Sequence, residues 1–239
     1  MNYPANDRPR LRQMALALVG LDLVAALAGW SRLNAECLGR PAGDFGVLWT
    51  ADYLAVLLFA PLLGLVFWRL YRLAANGREG WWTPAFLFAL YLLGAGMGLH
   101  EPPNRWAQTL AGDLSPALRT AFDYTDNRLG HWVFWAGFVL VIWAVALAQL
   151  RSPLKQAMSA GWTALMVLLS LPQVLIMVAN LWKEHTGVDV AVIVLAGGVP
   201  LLAWGGRHRD LHLRRLPALL VPCLTFFSAV AVTLWLWWR

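Results

Sequence analysis

Seven long apolar runs fix the kind of fold open to this chain. They cover roughly 12–32, 47–68, 81–100, 131–150, 158–182, 188–205 and 217–238. A helix rises about 1.5 Å per residue, so about 20 apolar residues cross a bilayer's hydrocarbon core. A membrane barrel would instead show segments of about ten alternating residues, and the sequence has no such alternation. The reading is therefore all-α: a polytopic bundle of seven transmembrane helices. Only 13% of the residues are charged, against roughly 25% in soluble domains. The 15 tryptophans suit a chain with two membrane–water interfaces, where Trp is enriched.

The first run resembles a signal peptide, with Arg8, Arg10 and Arg12 before it and Ala26-Leu27-Ala28 near its end. Asp22 interrupts its apolar core, however, so it reads as the first transmembrane helix. The whole of 1–239 reads as one transmembrane domain.

The basic residues orient the bundle. With the N-terminus cytoplasmic, Arg8, Arg10, Arg12, Arg69, Arg72, Arg78, Arg151, Lys155, Arg207, Arg209, Arg214 and Arg215 fall inside. That is twelve of 19 Lys and Arg. An odd number of spans then puts the C-terminus outside. The net charge of +6 thus follows the membrane sides and argues for lipid headgroups, not nucleic acid, as partner. Cys37 and Cys223 fall on opposite sides, which predicts no disulfide between them. The expected location is the cell membrane, the inner membrane if the source is bacterial.

The inner connections are short and basic. The outer stretch 101–130 is far longer than a turn requires, and long loops tend to be functional or disordered. Ser115 followed by Pro116 is a helix start. Trp106, Leu110, Leu114, Leu118 and Phe122 recur every four residues. The segment is therefore expected to be ordered and to cap the bundle, or to dock a protein partner.

The residues fit for chemistry gather at the outer helix ends. His100 ends the third run, His131 opens the fourth and His185 follows the fifth. Each has an acid nearby: Glu101, Asp126 and Glu184. Imidazole and carboxylate together suit a divalent metal, zinc first. The expected metal set is His100, His131, His185, Asp126 and Glu184. The acids expected in catalysis are Asp126, Glu101 and Asp52, the last about a turn below the outer end of its helix. For each the bland alternative is a solvated rim, with Arg105, Arg128 and Lys183 neutralising the acids. At about 100° per residue Asp126 and His131 lie about 140° apart on an α-helix. Asp126 is thus either a ligand in the preceding loop or a helix N-cap. Asp22, deep in the first helix, is a costly intramembrane acid; a hydrogen bond to Asn180, Gln173 or a Ser or Thr on a neighbouring helix would be its structural explanation. His208 and His212 form an HxxxH pair, but arginines surround it and disfavour a cation. Gly94, Gly96 and Gly98 read as a helix-packing face. Glycine-rich phosphate loops, GxSxG elbows and CxxC pairs are absent from the sequence, which argues against nucleotide, serine-hydrolase and thioredoxin-type chemistry.

Seven helices with His100, Asp126 and His131 at one face resemble the membrane metallohydrolases that include alkaline ceramidases and the progestin/adiponectin receptors. That resemblance implies a zinc ion activating water against an amide, and a lipid or other amphiphile as substrate. The chain departs from the family pattern substantially: the seventh helix carries no HxxxH, and the His208/His212 pair falls across the membrane from His100. The reading from another class is a non-catalytic membrane subunit, assembly factor or carrier.

Overall fold

A computed structural model of the protein describes residues 8–39, 50–80, 82–110, 112–184, 187–207 and 210–239. Among them seven helices are long and apolar enough to cross a membrane, and no strand occurs. They are α1 (Arg8–Leu33), α2 (Thr50–Ala75), α3 (Trp82–Thr109), α4 (Pro116–Arg151), α5 (Ala160–Glu184), α6 (Gly187–Arg207) and α7 (Pro217–Trp238). The bundle is the seven-helix all-α architecture expected from the apolar runs.

Two helices run past their expected ends. The third does not stop at His100; α3 continues to Thr109 through Pro102 and Pro103. Proline removes a backbone donor and usually interrupts a helix, but here Arg105 and Trp106 hold the extension to its neighbours, as described below. The fourth does not begin at His131. Ser115 caps a helix at Pro116, its side chain accepting from the Leu118 N–H at 3.3 Å. That helix passes through a π-helical turn, Thr125–Gly130, into the long span from His131. Stretch 101–130 is therefore an extension of two membrane helices joined by a short connection. Its four-residue apolar pattern brings Trp106 against Phe122, ring centroids 5.6 Å apart, while none of the residues Pro116–Tyr124 is buried.

Six helices close a ring: α1 packs on α2, α2 on α4, α4 on α6, α6 on α7, α7 on α5, and α5 on α1. The most extensive pairing is α3 with α4. It depends on glycine, because a Cβ at Gly96 would meet the backbone of Phe134 and one at Gly137 the backbone of Leu93. Backbones that close are held in lipid by dispersion and by small residues. Gly94 and Gly98 have open space where a Cβ would stand, so the packing face is Gly96 with Gly137, not the whole glycine series.

The two ends of the bundle differ. At the arginine-rich end the interior is filled: Tyr71 stacks on Phe86 at 4.2 Å, and Met14, Leu18, Leu70 and Leu154 are fully buried. Several polar groups there are matched. Arg10 donates to the carbonyls of Leu73, Ala74 and Ser152 at 2.8, 3.0 and 2.6 Å. Arg215 donates to that of Leu154 at 2.6 Å. Gln149, wholly buried, accepts from the Ala218 N–H at 2.7 Å and so satisfies a donor at the start of α7. At the histidine-bearing end the ring is open inside.

Candidate functional site

A cavity of 630 Å³ occupies that end, lined from all seven helices. Its walls are mainly apolar, with Leu63, Phe67, Leu93, Phe138, Ile142 and Phe226 among them. Its polar lining includes Asp22, Arg32, Asp52, His100, Glu101, Arg105, Asn127, His131, Gln173, Asn180 and Asp189. A mainly apolar pocket with a few convergent polar groups is the usual form of a ligand site.

The centre of the polar lining is a buried pair. Nδ1 of His100 and Oδ1 of Asp126 share a short hydrogen bond, and the two residues are only 7% and 6% exposed. An ionised carboxylate only accepts, so with Asp126 ionised the pair would place a proton on Nδ1, and Nε2 is the ring nitrogen outside the pair. That Nε2 is buried and has no hydrogen-bond partner among the described residues. Gly130 lets the pair form: a Cβ there would stand 3.0 Å from the His100 backbone nitrogen.

His131 lies beside the pair, its ring centroid 4.4 Å from that of His100. It stacks on Trp135 at 5.3 Å, nearly parallel, and its Nδ1 is 3.4 Å from the carbonyl of Asn127. The π turn explains why Asp126 and His131 both reach His100. In a π-helix the hydrogen bond spans five residues, so positions 126 and 131 come onto one side. The α-helical spacing had set them about 140° apart. The N-cap alternative for Asp126 does not arise, because the helix is continuous through it.

The other acids have partners of their own. Asp52, 3% exposed, takes a two-point pair from Arg105, Nε to Oδ2 at 3.1 Å and Nη2 to Oδ1 at 3.4 Å. Glu101 faces Arg32 at 3.9 Å. The arginine-neutralised rim is thus realised for Asp52 through Arg105, and for Glu101 through Arg32, a partner the sequence reading did not consider. Its only signal was helical periodicity, since Leu18, Leu21, Ala25, Gly29 and Arg32 all line the cavity. Asp189 at the start of α6 was likewise not singled out.

His185 and the side chain of Glu184 lie outside the described residues, as does His208. Among the described residues no three His, Cys, Asp or Glu side chains come together to hold a metal ion. His100 and His131 are adjacent, but Oδ1 of Asp126 is engaged by His100 Nδ1. The described residues alone therefore do not fit zinc. Cys37 and Cys223 are both free.

Fold and composition define the class: a multi-pass α-helical membrane protein with a cavity open within the bundle. No family model matches the sequence, and neither a curated protein nor a solved structure is similar to it.

Proposed function

We propose that this protein is a membrane-embedded hydrolase that admits an amphiphile into the cavity and cleaves an ester or amide near its polar head. The observation that carries the reading is His100, which lines the cavity: Nδ1 is fixed by a buried carboxylate, and Nε2 is buried without a partner among the described residues. A buried unsatisfied polar atom calls for a reason, and a catalytic role is one. A histidine oriented by a carboxylate is a suitable general base.

Nε2 takes a proton from water, and the hydroxide forms a bond to the carbonyl carbon. The oxyanion collapses, the bond to the leaving group breaks, and the imidazolium returns its proton to that group. Arg32 and Arg105, paired with Glu101 and Asp52, line the same cavity, and their remaining N–H groups are donors for the oxyanion. Asp126 holds the tautomer and balances the imidazolium.

A second reading keeps the divalent metal. A metal-bound histidine usually gives its other ring nitrogen to a carboxylate, as His100 does to Asp126. His131 would be the second ligand and His185 or Glu184 the third. The Lys and Arg distribution supports placing this site on the outer face of the cell membrane, with the N-terminus inside.

The experiment is turnover in proteoliposomes. Synthetic long-chain esters and amides are supplied, and acyl release is followed by mass spectrometry. Wild type should release product and His100→Ala should not. No release from any substrate would overturn the hydrolase reading. Stoichiometric zinc in the purified protein, lost in His131→Ala, would favour the metal reading over the metal-free base.

A further inference from the structure

The cavity has a second polar level, which the His100 chemistry leaves unused. Asp22 is on the cavity-facing stripe of α1, ten residues before Arg32. At about 1.5 Å per residue it lies ~15 Å deeper than the Arg32–Glu101 pair. The adjacent helix α5 contributes Gln173 and Asn180 to the same lining. Gly29 sets the register of these two helices, because a Cβ there would collide with Ile176. Asp22 is seven residues below Gly29, and Gln173 is three below Ile176. Both helices run the same way, so the two side chains differ in depth by only ~6 Å.

Both are left without partners. Asp22 makes no hydrogen bond or ion pair among the described residues, and Gln173 Oε1 is buried without a partner. The expected hydrogen bond from Asp22 to Gln173 or Asn180 is not made. A carboxyl within a hydrocarbon-embedded bundle is costly, and an unpartnered amide oxygen beside it adds to the cost. Both residues line the one apolar cavity, and a donor from outside the chain would match them.

We infer that Asp22 and Gln173 form a recognition site for a hydrogen-bond donor, a hydroxyl or amine, carried on the amphiphile's chain ~15 Å from its polar head. The inference rests on the reading that an amphiphile occupies the cavity, and it is independent of whether His100 acts as a base. It selects bifunctional chains over simple ones. A plain alkyl tail would leave both acceptors unmatched, and a site built to bond a hydroxyl discriminates strongly against the analogue lacking it.

The test is equilibrium binding of radiolabelled 1,12-dodecanediol and 1-dodecanol to the full-length protein in nanodiscs, with empty nanodiscs as the partition control. Wild type should bind the diol about tenfold more tightly than the alcohol. Asp22→Leu and Gln173→Leu should each remove that preference; His100→Ala should retain it. Saturable binding of both compounds with no preference in wild type would overturn the donor site and leave the cavity reading standing. Absence of saturable binding for both would overturn the amphiphile reading, and the donor site with it.

Discussion

Asp126 and His100, 26 residues apart in sequence, are joined by a buried hydrogen bond between two helices whose backbones touch through glycine. Removing one partner strands the other in a medium that cannot solvate it. Asp126→Ala should therefore destabilise the protein by about 3 kcal/mol or more. A double-mutant cycle with His100→Ala should return a coupling on the order of 1–3 kcal/mol. Reversible unfolding in mixed micelles measures both, and additive effects would show that the pair is not energetically linked.

The close approach of α3 and α4 depends on two glycines and not on their neighbours. Gly96→Ala and Gly137→Ala each drive a Cβ into backbone, so each should cost at least the ~1–3 kcal/mol typical of overpacking. Gly94→Ala and Gly98→Ala meet open space and should be near neutral. Thermal unfolding of the four variants in one detergent checks the contrast; equal losses in all four would refute it.

The π turn aligns Asp126 and His131. Deleting Leu129 should relax it to α-helix and leave Asp126 and His131 four residues apart, about 40° around the helix and still on one side. The protein should still insert into membranes, and cysteine cross-linking between α3 and α4 should keep its pairs. A cross-linking pattern shifted to new pairs would mean the turn does not absorb the extra residue.

Asp52 illustrates the same physics with a different partner. Arg105→Ala leaves a carboxylate that is 3% exposed without its guanidinium, at a cost of about 3–5 kcal/mol. Asp52→Asn in the same chain should recover much of that loss. The comparison is again by unfolding free energy, and a single variant as stable as wild type would show the pair to be dispensable.

Much of this fold was legible because lipid imposes a simple rule: about 20 apolar residues make one span. The span boundaries failed where a polar helix extends beyond the hydrocarbon, as in His100–Thr109, since periodicity and hydropathy both weaken there. His100, Asp126 and His131 stood out as polar groups at apolar ends. Their convergence did not, because a π turn leaves no compositional mark and shifts every later residue around the helix. The pairing of Asp52 with Arg105 and of Glu101 with Arg32 was also not legible. Many basic residues share that end, and only the packing of α1, α2 and α3 selects among them. Asp22 was visible as an intramembrane acid; that it faces a cavity instead of its expected amide partners required the helix register.

Membrane sidedness is expected to follow the arginines. Reporter fusions after Arg78 and after Trp238 should lie on opposite sides, the first cytoplasmic. Finding both on one side would invalidate the orientation assigned to the site.

The central claim is that Asp126 fixes His100 as the Nδ1–H tautomer and leaves the Nε2 lone pair for chemistry. Nitrogen-15 spectra of histidine-labelled protein in bilayers test it most directly, with the His100 signals assigned by their loss in His100→Asn. The account predicts a protonated Nδ1, an unprotonated Nε2, and loss of the single-tautomer signature in Asp126→Ala. A proton on Nε2 with Nδ1 bare, or a His100 spectrum unchanged in Asp126→Ala, would contradict it.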